Sequence, residues 1–479
     1  MKNYKEIYNI IQDIDTKNYL SARHQKRTTR GIEYDGKKFI CFNRNICGIG
    51  IEAISNKNQI VFAHTSSLES KKIIGLCKSL DFLLSKDISC MKIEGLFNFR
   101  INSKIRQVEH FSKNNDELNV NKYRSELKDI NEYLQEIFES SSVKNCFLLG
   151  YDTWFLCNNR KGYTQYDHHY SSFTSYVTTN IKDTTFVFQV SISGKNKEII
   201  TQSQLIDKFI LKSKRLKMIR QSKLDNNVMN IPTNTKVILD NESFDIIIHE
   251  LIGHGSEGDF LFEKELNSEI SKNLTISDTG NIDDWGYQPF DTHGNLRKKV
   301  DLIKNGNCEN FLNGLYTNGI QDNGFFTDRI ETYKDLPLPR ITNISCNNKN
   351  QVEYFKEDSK NEIINLRDIL YDNNYISKNE ELLFLFGAKS GKFNRKTKIC
   401  EIIPELICVL RDNEITIFPQ KKIYLNSKNL LSSCLVSIGM SNNKSHYVCK
   451  KKNQSLKVGA INHNYSLFNK LELISKNGG

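Results

Sequence analysis

No stretch of the sequence approaches the run of about eighteen uninterrupted apolar residues that a membrane-crossing helix needs, so no membrane span is expected. The opening MKNYKEIYNIIQDIDTKNYL is charged throughout rather than built like a signal peptide, which makes the cytoplasm the expected address. Twelve cysteines are scattered without a CxxC pair or the dense spacing of a secreted disulfide scaffold. A chain of 479 residues needs no such staples, and reduced, mostly buried thiols are expected. Proline is scarce, six in all, and none precedes Pro232. No basic reader motif accompanies the net charge of +11, and acidic residues are interleaved with the lysines, so nucleic acid is not an expected partner. What is present is a hydrophobic content of 38%, as in a soluble globular protein, on a chain long enough for two domains.

A first amphipathic helix leads into strand-like alternation from about Tyr19 to Thr65, with Asp35-Gly36 as a tight hairpin turn and Gly48-Ile49-Gly50 as a second break. A short helix is predicted from Ser67 to Leu84. Val120, Tyr123, Leu127, Ile130, Leu134 and Ile137 then recur at alternating spacings of three and four, an apolar stripe too short for a coiled coil and suited to a helix laid on a sheet. From about Lys144, the segments CFLLG, TWFLCN, SYVTTN and TFVFQVSIS read as a meander, with Asn158 to Gly162 as one connecting turn. His168 and His169 fall on opposite faces of a regular strand and cannot share a metal. The helix from Gln202 to Arg220 is basic on one side, through Lys208, Lys212 and Arg215, which reads as a solvated face. The polar run QSKLDNNVMNIPTNT marks the expected boundary between a domain of residues 1–225 and one of residues 226–479.

The sharpest signal is IIIHELIGHGSEGDF, in which Glu250 directly follows His249 and a second histidine, His254, comes five positions after the first. Two histidines near one metal, beside a glutamate able to take a proton from water, are the working minimum of a metal-dependent hydrolase. In the commoner HExxH form a separation of four turns the helix by about 400°, so both rings share a face. A separation of five turns it by about 500°, and the rings diverge by about 140°. Chelation therefore requires the backbone to widen into a π-type turn or to bend at Gly253, where distortion costs least. A catalytic zinc takes three protein ligands and keeps one position open, and the motif supplies two. Glu257 and Asp259 nearby, His293 and His446 from a distance, or any of the thiols are candidates for the third, and spacing does not choose among them.

With these residues in view, HELIGHGSEGDF closely resembles the HExxxH segment of the TldD/PmbA family of metallopeptidases, whose active members carry His-Glu-Ala-x-Gly-His-Gly-x-Glu-Gly-Asp-Phe. The resemblance continues through ISDTGNIDDWGYQPFDTHGN, VDLIKNGNCENFLNG, LPLPRITN, ELICVLRDNEITIFPQKKI and VCKKKNQSLKVGA, covering most of the chain beyond residue 240. Before that it is loose, chiefly at GIGIEAISNKNQIVFAHTSSL. It implies that His249 and His254 bind zinc, that Glu250 is the general base, and that Cys449, the cysteine of the last motif, is the third ligand. It also implies hydrolysis of small or unfolded peptides, including leader removal, and a dimer with a homologous subunit, either a motif-less homologue or a second copy. Two departures stand out: LFGAKSGKFN keeps the family's Ser-Gly without the usual Gly-Gly-x-Val-Asp before it, and Lys452-Asn453 occupy a region where glycine is usual. The expected fold is α+β, with an N-terminal domain of helices on a sheet and a largely β C-terminal domain carrying the HExxxH helix. The competing expectation is a non-catalytic assembly subunit or peptide-binding module, whose structural zinc is closed by four protein ligands.

Overall fold

The alternating segments of the first half form a sheet of unusually long strands. In this computed structural model, which describes residues 2–88, 91–92, 109–110, 120–139, 142–160, 162–194, 203–233, 235–260, 270–280, 285–315, 327–354 and 361–474, Tyr19–Tyr34 and Phe39–Ile54 pair antiparallel. Gly36, at φ 87°, turns the chain between them. Gln59–Thr65 extends the sheet on one side; Ser142–Asn158, Gly162–Ile181 and Thr184–Gly194 extend it on the other. CFLLG and TWFLCN are one continuous strand, and Asn158 pairs with Gly162 across the expected turn.

Gly48 and Gly50 lie inside the strand Phe39–Ile54 and do not break it. A Cβ on Gly48 would stand 2.3 Å from the Tyr333 ring, and one on Gly50 2.1 Å from the Tyr333 carbonyl oxygen. Glycine there makes room for a segment of the second half, which no local pattern announces.

The helices Lys2–Asp13 and Ser70–Ser85 cover part of this sheet, burying Ile7, Ile11, Ile73 and Leu80 against Leu20, Ile51 and Phe155. The predicted stripe becomes a turn at Val120–Tyr123 and the helix Arg124–Phe138, whose Leu127, Leu134 and Phe138 join Phe147, Phe173 and Phe186 in a second cluster. That cluster continues into Leu366, Phe384, Leu406 and Leu467, so the two halves share a core.

The helix Ser203–Gln221 overturns one reading. Lys212 and Arg215 are not on a solvated face; both are buried. Lys212 Nζ is paired with Glu242 at 2.7 Å and with Glu405, while Arg215 donates to both oxygens of Glu362 and, at 3.0 Å, to Asp240. Every one of these carboxylates comes from the second half, so the basic face is the bolt that fixes this helix to it. Only Lys208 stays partly exposed, 3.8 Å from Glu242.

Beyond residue 235 an eight-stranded sheet has Lys236–Asp240, Leu382–Phe386 and Tyr465–Phe468 at its centre. A six-stranded sheet runs from Asn307–Cys308 through Leu274–Asp278, Asn343–Asn348 and Gln454–Asn462 to the edge strand Asn443–Lys451. A three-stranded sheet has Gly391–Asn394 at one edge. The architecture is α+β, with helices on sheet followed by a largely β region. Among the described residues no helix is long and apolar enough to cross a membrane. Cys77, Cys157, Cys346, Cys400, Cys408, Cys434 and Cys449 are buried free thiols, whereas Cys41, Cys47 and Cys308 are exposed.

Candidate metal centre

Asp240, the last residue of a central strand, starts the motif helix Asn241–Ile248 by accepting the Ser243 N–H on its carboxylate at 3.0 Å. Phe244, Ile247 and Ile248 then bury themselves among Val237, Leu239, Ile276 and Leu385, each contributing about 1.5–3 kcal/mol. The helix is thereby anchored before it reaches His249.

At His249 the helix widens. Residues His249–Gly253 form a π turn, closed by the His254 N–H donating to the His249 carbonyl five residues back. Gly253 keeps ordinary helical angles, φ −56° and ψ −64°, so the chain takes the widened turn and does not bend at the glycine. Glycine serves here for another reason: a Cβ would stand 2.3 Å from Ile341 Cδ1. The extra residue in the turn absorbs the angular mismatch of the spacing, and the two imidazoles come to 4.8 Å between ring centroids, at 81° to one another.

Cys449 arrives from the edge strand Asn443–Lys451, opposite Leu456 of Gln454–Asn462. Lys452 (φ 47°) and Asn453 (φ 65°) make the two-residue turn of that hairpin, both left-handed. Asparagine adopts this conformation readily, while the lysine carries roughly 1–2 kcal/mol of strain that glycine would not. Cys449 Sγ lies 3.2 Å from His254 Nε2, and the donor atoms of His249, His254 and Cys449 are all within 4.8 Å of one another.

A shell of charged groups fixes this trio. Glu257 accepts from His254 Nδ1 at 2.7 Å and from Lys451 Nζ at 2.7 Å, and is itself fully buried. Arg340, from LPLPRITN, donates to Cys449 Sγ at 2.9 Å and to the Cys449 carbonyl at 3.1 Å. Arg395 donates to the His254 carbonyl at 2.8 Å. Burial alone would raise the Cys449 thiol, but His249 and His254 outweigh it and lower the pKa to about 4. Burial alone would lower His254, but Glu257 and Cys449 outweigh it and raise the pKa to about 10. The metal-free site thus holds a thiolate beside an imidazolium. Glu257 is held far below the ordinary carboxylate range, against the cost of its burial, by His254, Lys451 and Arg340.

Two imidazoles and a thiolate are a borderline-soft donor set that suits zinc and not magnesium or calcium. Tetrahedral zinc, with Zn–N near 2.0–2.1 Å and Zn–S near 2.3 Å, separates its donors by roughly 3.3–3.8 Å. A trio already within 4.8 Å fits that size to within about 1 Å. His249 Nδ1 is in addition buried without a hydrogen-bond partner. A buried ring nitrogen without a partner is a donor that a metal ion could satisfy.

The other candidates fall elsewhere. Glu257 supports His254 without joining the trio, and Asp259 is taken by Lys451 at 2.6 Å and Lys452 at 3.0 Å. His293 is buried in a separate network, 3.0 Å from Glu52, which also holds Arg23. His446 is three positions before Cys449 on the same strand, so it faces the other way, towards Trp285. His168 and His169 contact Tyr287 and Tyr151 respectively. Glu250 is half-buried and, with His254, lines a cleft of about 700 Å³. Arg340 and Lys451 lie in LPLPRITN and VCKKKNQSLKVGA, but no local pattern ties either of them, or Arg395, to the two histidines; the tertiary fold brings them there.

Comparison with known proteins places the motif inside a described domain. A family model described as the PmbA/TldA metallopeptidase C-terminal domain matches residues 232–393, which include the π turn and its two histidines. A Metalloprotease TldD homolog of Buchnera aphidicola is 33% identical over 109 residues, covering 20% of this chain and 22% of that protein. A metalloprotease of Methanocaldococcus jannaschii is 34% identical over 116 residues, covering 22% and 26% respectively. The match thus spans only about a quarter or less of the curated relatives' length. Over the whole chain the fold is that of TldE from Thermococcus kodakarensis, with TM-score 0.63, 10% identity and coverage of 99% of this chain and 98% of that one. A Thermotoga maritima protein described as a modulator of DNA gyrase shares it at TM-score 0.69 and 10% identity, with 99% of both chains covered. The matched segment is that of a metallopeptidase family's C-terminal domain, and the solved structures show the same fold. The chain belongs to the TldD/PmbA family.

Proposed function

We propose that this chain is a zinc-dependent peptidase for small or unfolded peptides, with His249, His254 and Cys449 as the ligands and Glu250 as general base. The observation that carries the reading is the meeting of two imidazoles and a thiolate within 4.8 Å at the edge of a cleft lined by Glu250. Zinc bound there supplies Lewis-acid polarisation of the scissile carbonyl and of the attacking water. The side chains do the rest. The Glu250 carboxylate accepts a proton from the water and holds it until the leaving amine takes it. Glu257 fixes the His254 ring through Nδ1, and Arg340 steadies the thiolate of Cys449. The edge of Gly391–Asn394 that no strand covers among the described residues offers backbone N–H and C=O groups to an extended peptide, which demands little of its sequence.

In this reading residues 226–479 carry the chemistry, residues 1–225 form the other domain, and the working unit is a dimer with a homologous subunit, motif-less or a second copy. Leader removal from small peptides is the kind of task it suits. The structural-zinc alternative requires a fourth protein donor, and among the described residues no other His, Cys, Asp or Glu joins the trio. The test is metal content by mass spectrometry alongside digestion of an unstructured peptide. We expect about one zinc per chain and cleavage that chelation abolishes and zinc restores; digestion indifferent to a chelator would sink the proposal.

Metal binding should depend on pH with a defined sign. Below about pH 10 His254 carries a proton that the metal must displace, while above about pH 4 Cys449 has already lost its own. Between those limits the His254 proton leaves with each ion bound, and its release makes apparent affinity rise with pH. Calorimetry at pH 7 in buffers of differing ionisation heat counts that proton. Binding without proton release would contradict the pairing of Cys449 with His254.

A further inference from the structure

The cleft beside the trio is unevenly charged. Its lining holds five cationic side chains, Lys392, Arg395, Lys396, Lys450 and Lys451, against two carboxylates, Glu250 and Asp259. Asp259 is already neutralised by Lys451 and Lys452, and Lys451 also serves Glu257. Lys392, Lys396 and Lys450 are exposed, and none of the three pairs with a carboxylate among the described residues.

These lysines have separate origins. Lys392 lies on the edge strand Gly391–Asn394 and Lys396 just after it, while Lys450 is next to Cys449 on the edge strand of a different sheet. A run of charge along one element is ordinarily a solvated face. Here the charge converges from two sheets on one concavity, where low-dielectric walls focus the field onto whatever enters.

We propose that the cleft selects peptides carrying aspartate or glutamate close to the bond to be cut, with Lys392, Lys396 and Lys450 setting that preference. This rests on the peptidase reading above. The same field disfavours lysine- and arginine-rich peptides, so the device excludes as well as recruits. A nucleic-acid strand fits less well: Phe393 is the one aromatic side chain in the lining, which provides no series of stacking surfaces, and Glu250 would face its phosphates.

The test uses the full-length, zinc-supplemented E250Q protein and three labelled unstructured peptides that differ only in having Glu, Ser or Lys at the same positions. Fluorescence anisotropy at 0.1 M salt should show the Glu peptide bound about tenfold more tightly than the Lys peptide, as three exposed charge pairs allow. The gap should narrow towards 1 M salt, where the screening length falls from about 10 Å to about 3 Å. K392Q/K396Q/K450Q should abolish the preference and K392E/K396E/K450E invert it, while K71E/K78E, on the Ser70–Ser85 helix, leaves it intact. Equal affinity for the three peptides, or a short oligonucleotide competing as well as the Glu peptide, would overturn the proposal. Cleavage by the parent chain separates the two levels of failure. If all three peptides are cut at equal kcat/KM, the acidic preference falls and the peptidase stands; if none is cut, both fall.

Discussion

Glu250→Gln is expected to lower kcat/KM on an unstructured peptide by about 10²–10⁴-fold, the usual worth of a positioned general base, while zinc content stays at the parent level. The substitution keeps the length and shape of the side chain and removes the oxygen that would take the proton. Glu250 follows His249 in the π turn but is not among the three convergent donors, so the metal should be indifferent to the change. It is half-buried on the wall of the cleft, and a neutral isostere there should move stability by no more than about 0.5 kcal/mol. Steady-state kinetics and metal analysis on one preparation decide the matter. A zinc-replete variant with the parent rate removes Glu250 from the chemistry, and a variant that has lost its zinc assigns it to binding instead.

How far the sequence could be read differs from element to element, for physical reasons. The stripe from Val120 to Ile137 and the hairpin at Asp35-Gly36 are local patterns, and local patterns survive folding. The spacing of His249 and His254 was legible in the same way: the geometry of a straight helix forbids their meeting, and the helix is not straight. Misreadings arose where a residue answers to something far away. Gly48 and Gly50 look like a break because the segment at Tyr333 that occupies their missing side chains lies in the other half of the chain. Lys212 and Arg215 look solvated because their partners Glu405, Asp240 and Glu362 are equally distant. Nothing near Cys449 marks it as a ligand, since its approach to His254 is set by the register of one hairpin across a separation of 195 residues. Resemblance to the family proposes that residue where spacing does not.

Cys449→Ala should weaken zinc binding by about 100-fold. Zinc held by four protein ligands is bound with roughly 10–16 kcal/mol, so one ligand is worth about 3 kcal/mol. The loss should be felt in the metal-free fold too, because Arg340 is fully buried and loses the thiolate it bonds at 2.9 Å. It keeps the Cys449 carbonyl at 3.1 Å and the neighbouring carboxylate of Glu257 at 3.6 Å, which confines the cost to about 1–3 kcal/mol. His254, still held by Glu257, loses the thiolate and should titrate at lower pH than in the parent. Competition with a chromophoric chelator measures the affinity, and thermal unfolding without metal measures the fold. Cys449→Ser guards against a trivial outcome, since its hydroxyl preserves an acceptor for Arg340 and should recover stability without recovering zinc. An alanine variant that binds zinc as tightly as the parent would show that the sulfur is a partner of Arg340 alone, and the third ligand would have to come from elsewhere.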